Sequence, residues 1–180
     1  MSNLSLKDFD ILSQAEKDEA ISLLNRYEQL ENQKSCHKDF LSFVKYMWGD
    51  AFISGRHHKI IADKFNKIAQ GKLKRLIVCL PPRHSKSEFA STYLPAWMMG
   101  LNGALKIIQC THTAELAVRF GRKVRNLIDS DDFKTIFPNL RLQADNKSAG
   151  RWTTNQEGES FYAGVGGAIT GRGADLLIID

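Results

Sequence analysis

Three short, mostly apolar runs constrain this chain more than any other feature. They are LIVCL at 76–80, KIIQC at 106–110 and LLII at 176–179. Runs of this length with no regular polar alternation have the pattern of strands covered on both faces in a parallel sheet. Between the first two lies SKSEFASTYLPAWMMG, which reads as a helix that Pro95 must end or kink. After the second comes TAELAVRFGRKVRNLIDS, a helix offering Leu116, Val118, Val124, Leu127 and Ile128 to a core. Strand and helix alternating in units of this size predict right-handed crossovers and a parallel sheet flanked by helices, an α/β fold. The stretch RWTTNQEGESFYAGVGGAIT mixes β-prone pieces with turn residues and predicts small strands or a hairpin before the last run.

The first 70 residues have a different character and read as a helical extension. Ser13 and Glu16 have the capping-box spacing, followed by Ala20, Ile21, Leu23, Leu24, Tyr27 and Leu30 at helical intervals. This predicts an amphipathic leader helix. A second helix is expected in HKDFLSFVKYMW, with Phe40, Phe43, Val44, Met47 and Trp48 as core packing and Gly49 as its stop. A third is expected over 57–69, with Ile60, Ile61, Phe65 and Ile68 on one side, ending at Gly71. Charge divides along similar lines. Residues 1–35 carry four basic and seven acidic side chains, net −3, which leaves +8 of the overall +5 on residues 36–180. A polyanionic partner therefore belongs to the second part.

Composition excludes several classes. A chain of 180 residues that is 43% hydrophobic can bury a core, which rules out disorder and low-complexity architectures. No apolar run approaches the roughly 20 residues a membrane span requires, so no membrane association is expected. The start, MSNLSLKDFD, does not read as a secretory signal. Cys36, Cys79 and Cys110 have no CxxC spacing, the pattern of a reduced chain without a disulfide framework.

The stretch LPPRHSKS at 80–87 lies between a predicted strand and a predicted helix, where a phosphate-binding loop belongs. Lys86 and Ser87 match the end of the G-x-x-x-x-G-K-[ST] pattern, while Leu80 and Ser85 stand at its two glycine positions. The chemistry requires amide groups and a helix dipole aimed at phosphate oxygens, a lysine for the β- and γ-phosphates, and a hydroxyl for Mg2+. Pro81 and Pro82 stiffen such a loop, a small Ser85 permits close approach of the backbone, and Arg83 adds a second cation. The matching carboxylate is Asp180, at the end of LLIID. Pro82, Arg83, His84, Ser85, Lys86 and Ser87 are thus the candidate nucleotide-binding residues, and Ser87 with Asp180 the candidate Mg2+ ligands.

LIVCLPPRHSKS, KIIQCTHTAELAVRFGRKVRNLI, RWTT and GVGGAITGRGADLLIID together resemble the N-terminal ATPase domain of the large terminase subunit of tailed bacteriophages, over about residues 40–180. The resemblance implies a RecA-like P-loop core over 71–180, reaching the Walker B strand. It further implies ATP hydrolysis with Mg2+ coupled to translocation of double-stranded DNA into a capsid. The other implied features are a homo-oligomeric ring, contact with a small terminase subunit and a portal protein, and a C-terminal nuclease domain that these residues do not include. Such a protein would be phage- or prophage-encoded and act in the host cytoplasm. By the resemblance Lys86 binds the β- and γ-phosphates, Arg83 stabilises the γ-phosphate, Ser87 binds Mg2+, and Asp180 holds that ion through water. Ser85 departs from the family, whose loop reads PPRHGKS. The family's catalytic carboxylate directly follows the strand-end aspartate, and the sequence closes on Asp180. The expectation for these 180 residues is ATP binding with little or no hydrolysis.

The alternatives are another P-loop enzyme, such as a helicase-like ATPase or a small-molecule kinase, and a non-catalytic nucleotide- or DNA-binding remnant. Arg119, Arg122 and Arg125, with Lys123 beside them, fall at helical spacing. Such a face is either ordinarily solvated, or follows a DNA backbone or a neighbouring subunit's nucleotide. His57 and His58 are adjacent, so they point different ways and form no same-face metal pair; they either face solvent or cap a helix or, by the resemblance, they or Arg56 lie near the base or ribose. His84 either touches phosphate or faces solvent. The glycines at 164, 166, 167, 171 and 173, around Thr170 and Arg172, predict a tight loop near the phosphate end of the sheet.

Overall fold

The computed structural model describes residues 13–167 and 169–180. Residues 1–12, read above as lacking a secretory signal, and Ala168 of the glycine-rich stretch lie outside the described residues.

Helix α1 (Gln14–Lys38) starts at the expected capping box: Ser13 Oγ accepts the Glu16 amide and Glu16 accepts the Ser13 amide at 2.8 Å. Its predicted apolar face is not buried, however. Ile21, Leu23, Leu24, Tyr27 and Leu30 are 45–66% exposed, and among the described residues the C-terminal end docks, through buried Cys36 and through Gln33 and His37 donating to the carbonyls of Thr135 and Ile136. Helix α2 (Phe40–Trp48) is capped by the Asp39 carboxylate, buries Phe40, Phe43 and Val44, and stops at Gly49 with φ 71°. A 3-10 turn (Gly49–Ala51) follows, then α3 (Arg56–Ala69). Its buried stripe is His58, Ile61, Ala62 and Phe65; Ile60, assigned to that stripe from sequence, is 52% exposed.

The run 76–80 corrects the sequence reading. It is extended but pairs with no strand among the described residues. Leu76, Val78 and Leu80 pack against the core while Ile77 is 89% exposed and Cys79 faces outward, so one face is covered rather than two. Burial that alternates residue by residue is the mark of an extended chain lying on a core.

The helix expected after it extends past Pro95 to Leu101, so Pro95 does not end it. Residues Glu88–Tyr93 form a π turn, in which the Leu94 amide bonds back five residues to Phe89, and α4 (Leu94–Leu101) carries Pro95 in its first turn. Proline has no amide to donate, and a wider turn just before it accommodates that loss.

The sheet is mixed, in the order β2-β3-β4-β1-β5. Strand β1 (Lys106–Thr111) sits between β4 (Glu159–Gly164) and β5 (Leu176–Ile179), parallel to both. Strands β2 (Leu142–Ser148) and β3 (Arg151–Thr154) add antiparallel pairs, so the parallel expectation holds for three strands only. β2 has no counterpart in the sequence reading. β5 alternates, with Leu176 and Ile178 buried and Leu177 and Ile179 57% and 76% exposed.

Helices α5 (Ala114–Asp129) and α6 (Asp131–Ile136) follow β1. The α5 face toward the core is Ala117, Phe120, Gly121, Val124 and Ile128; Leu116, Val118 and Leu127 are only half-buried. Phe40 stands edge-on to Phe65, Phe89 and Trp97, and Trp97 Nε1 donates to the Cys36 carbonyl at 2.7 Å. The N-terminal helices and the helix after the loop at 80–87 thus share one hydrophobic core.

Candidate functional site

Two residues in the loop at 81–87 adopt left-handed backbone without being glycine: Arg83 at φ 62° and Ser85 at φ 59°. Ser85 occupies the position of the pattern's second glycine, and its φ gives the physical reason glycine is usual there: a Cβ in this region costs roughly 1–2 kcal/mol. Alternating backbone hands in a short loop turn successive amides toward one point, the geometry of an anion-binding nest. The Phe89 amide bonds the Ser85 carbonyl at 2.9 Å, so the helix begins here, with Lys86 and Ser87 in its first turn; among the described residues the Ser87 side chain caps nothing.

Across from this turn the register of β5 with β1 runs one residue past the strand. The Asp180 amide donates to the Cys110 carbonyl at 3.0 Å, which fixes Asp180 at the C-terminal edge of the sheet. Lys86 Nζ lies 3.6 Å from Asp180 Oδ1, the ammonium 41% exposed and the carboxylate 13% exposed. The other oxygen, Oδ2, accepts from Ser91 Oγ at 2.9 Å, and Ser91 is fully buried. Glu88, next to Ser87, pairs with Lys123 of α5, which takes Lys123 out of the basic face it shares in sequence. A groove of about 680 Å³ runs between residues 73–78 and β5, with Lys86 and Asp180 on its lining.

Three histidines meet beside the loop, which the sequence reading missed. The His57 ring centroid is 3.9 Å from that of His58 and 5.5 Å from that of His84, so the two adjacent histidines do face each other. His58 is 6% exposed, accepts the Gly55 amide on Nδ1 at 2.9 Å and stacks on Phe89. Burial holds its pKa below the ordinary histidine value, and the neighbouring His57 and His84 act in the same direction. His84 Nδ1 donates to the Pro82 carbonyl at 2.9 Å, and its side chain is exposed together with Pro82 and Arg83. Among the described residues no group of three or more His, Cys, Asp or Glu can hold a metal ion. Magnesium asks less: one or two protein oxygens with several waters suffice, and Ser87 and Asp180 each carry an oxygen of that kind.

The rest of the candidate residues are dispersed. Arg119 and Arg122 are exposed on α5, while Arg125 is half-buried and bonds Asn126. The glycine-rich stretch only begins at the C-terminal edge of the sheet, where Asp180 lies and the Val165 amide bonds the Thr111 carbonyl. It then descends to the opposite end of the sheet. There Arg172 pairs with Glu159 and lies over the Phe161 ring at 4.2 Å, and the Asp175 amide bonds Lys106, so Thr170 to Gly173 are not beside Lys86 as expected. The reason is the parallel register: a connection from β4 to β5 must travel back the length of the sheet.

No family model, no curated protein and no solved structure matches this chain. Among the described residues no helix is long and apolar enough to cross a membrane.

Proposed function

We propose that this chain is the nucleotide-binding part of a RecA-like P-loop ATPase, and specifically the motor domain of a viral DNA-packaging terminase. The observation that carries the nucleotide reading is Lys86 Nζ standing 3.6 Å from Asp180 Oδ1, at a helix start entered through two left-handed residues. A lysine and a strand-end carboxylate brought together at a helix start, with a hydroxyl residue next in sequence to the lysine, suit a triphosphate with its metal.

The chain's own residues divide the work. Amides of the loop and first turn bind phosphate oxygens along the helix dipole. Lys86 leaves Asp180 for the β- and γ-phosphates, neutralising charge that grows there during transfer. Arg83, exposed on the loop, adds a cation on the γ-phosphate side. Ser87 and Asp180 would hold Mg2+, which would offset the negative charge of the phosphates. The terminase assignment rests on the resemblance of PPRHSKS and GVGGAITGRGADLLIID and on the basic balance of residues 36–180. Double-stranded DNA is the proposed track, with Arg119 and Arg122 as exposed contacts.

Calorimetric titration with ATP, with and without Mg2+, tests the nucleotide reading. Micromolar-range binding that Lys86→Ala abolishes supports it; absent binding, or unchanged binding in the variant, overturns it.

A further inference from the structure

We propose that Ser91 is a positioning residue for magnesium-nucleotide binding, acting through Asp180; the inference rests on the nucleotide reading above. A carboxylate at the end of a side chain rotates easily about its last torsion, and its two oxygens are equivalent until something distinguishes them. Here they are distinguished. Ser91 Oγ donates to Oδ2 at 2.9 Å, while Oδ1 faces Lys86 at 3.6 Å. The first is a full charge-assisted hydrogen bond; the second is too long to be one.

The consequence is a division of labour within one side chain. With Oδ2 held by a fully buried hydroxyl, Asp180 presents Oδ1 rather than Oδ2 to the lysine. Oδ1 stays aimed at the space in front of Lys86, where the phosphates and their metal would sit. The backbone makes this placement possible. Ser91 lies in the π turn Glu88–Tyr93, and the residue whose amide would serve its carbonyl in a regular α-helix is Pro95. The turn that accommodates Pro95 also seats Ser91 behind Asp180, one turn past Ser87. Hydrogen-bonding partners of this kind, one step behind a metal ligand, commonly change metal affinity 10–100-fold when removed.

The test is calorimetry on the 180-residue chain, titrating ATP alone and ATP with Mg2+ into wild type, Ser91→Ala, Ser91→Cys and Lys86→Ala, with thermal melts alongside. Ser91→Ala should keep the wild-type affinity for metal-free ATP and lose at least about tenfold of the gain that Mg2+ confers. A hydroxyl that merely supported packing would lower both affinities together, or only the melting temperature. Should the alanine variant melt early, Ser91→Cys keeps the volume while weakening the donor and must show the same selective loss. A full Mg2+ gain in either folded variant overturns the role of Ser91 and leaves the nucleotide reading intact. Wild type that fails to bind ATP, or Lys86→Ala that binds normally, removes the nucleotide reading itself and this inference with it.

Discussion

The molecule contains two connections from an extended segment into a helix, and they are built in opposite ways. Between β1 and α5 the chain turns in two residues. Thr113 caps the helix by accepting the Leu116 amide, Thr111 Oγ1 donates to the Thr113 carbonyl, and Gly164 lies so close that a Cβ there would meet the Ala114 nitrogen at 2.4 Å. Between the run at 76–80 and the following helix the loop is longer, carries two left-handed residues that are not glycine, and among the described residues leaves Ser87 without a side-chain capping bond. The first junction has used its donors on itself. The second carries left-handed backbone at Arg83 and Ser85 instead. On the nucleotide reading proposed above, this difference separates a binding loop from a connector, and the contrast can be broken experimentally from either side.

The largest effect should come from Lys86→Ala, with a loss of ATP affinity of about 100-fold or more, equivalent to about 2.7 kcal/mol, and no change in melting temperature. Gly164→Ala should do the reverse. Forcing a methyl against the α5 backbone costs about 1–3 kcal/mol, read as a melting temperature lowered by several degrees, while ATP affinity stays near wild type. A smaller pair of changes sharpens the comparison further. Thr113→Ala should cost about 1 kcal/mol through the lost cap, whereas Ser85→Gly should stabilise by up to about 1 kcal/mol by relieving left-handed backbone, both measured by denaturant midpoint. The smallest effect concerns the histidines that brace the open junction. The pKa of His58 is lowered in the folded state, so the unfolded chain takes up a proton first as pH falls. Stability is complete above the ordinary histidine value of about 6.5 and declines below it. Melts at pH 7.5 and 5.5 should show that decline, and His58→Phe should reduce it.

Much of this site is legible in sequence because its chemistry is carried by residue types at fixed places. A lysine-serine pair between an apolar run and a helical stretch, with an acid closing another apolar run, is enough to predict that Lys86 and Asp180 meet, and they do. The capping box at Ser13 and the aromatic core of α2 are equally local signals. What sequence hides is partnership. The composition of LIVCL says that the run is extended and apolar, not whether another strand lies beside it, and here none among the described residues does. LQADNKS carries little β-branched or aromatic character, so β2 owes its conformation to pairing with β3 rather than to its own propensity. The exposed face of α1 shows the same thing in reverse, since helical spacing of Leu23, Tyr27 and Leu30 marks a helix without marking what covers it. Ser91 and the meeting of His57 with His84 depend on helix phase and on loop shape, neither of which a residue pattern records.

The π turn has one more consequence, which concerns phase along a screw. Everything on the loop side of Glu88–Tyr93, including Lys86 and Ser87, is set in rotation relative to everything on the far side, where α4 is locked into the core by Trp97 and Met99. Removing a single residue from within the turn would restore an ordinary helical repeat and swing the loop by about 100° about the helix axis. Lys86 would then point away from Asp180 although no residue of the site had been altered. In this chain the spacing between Ser87 and Pro95 is as much a part of the site as the side chains themselves, and a change in length there would be felt more sharply than most changes in identity.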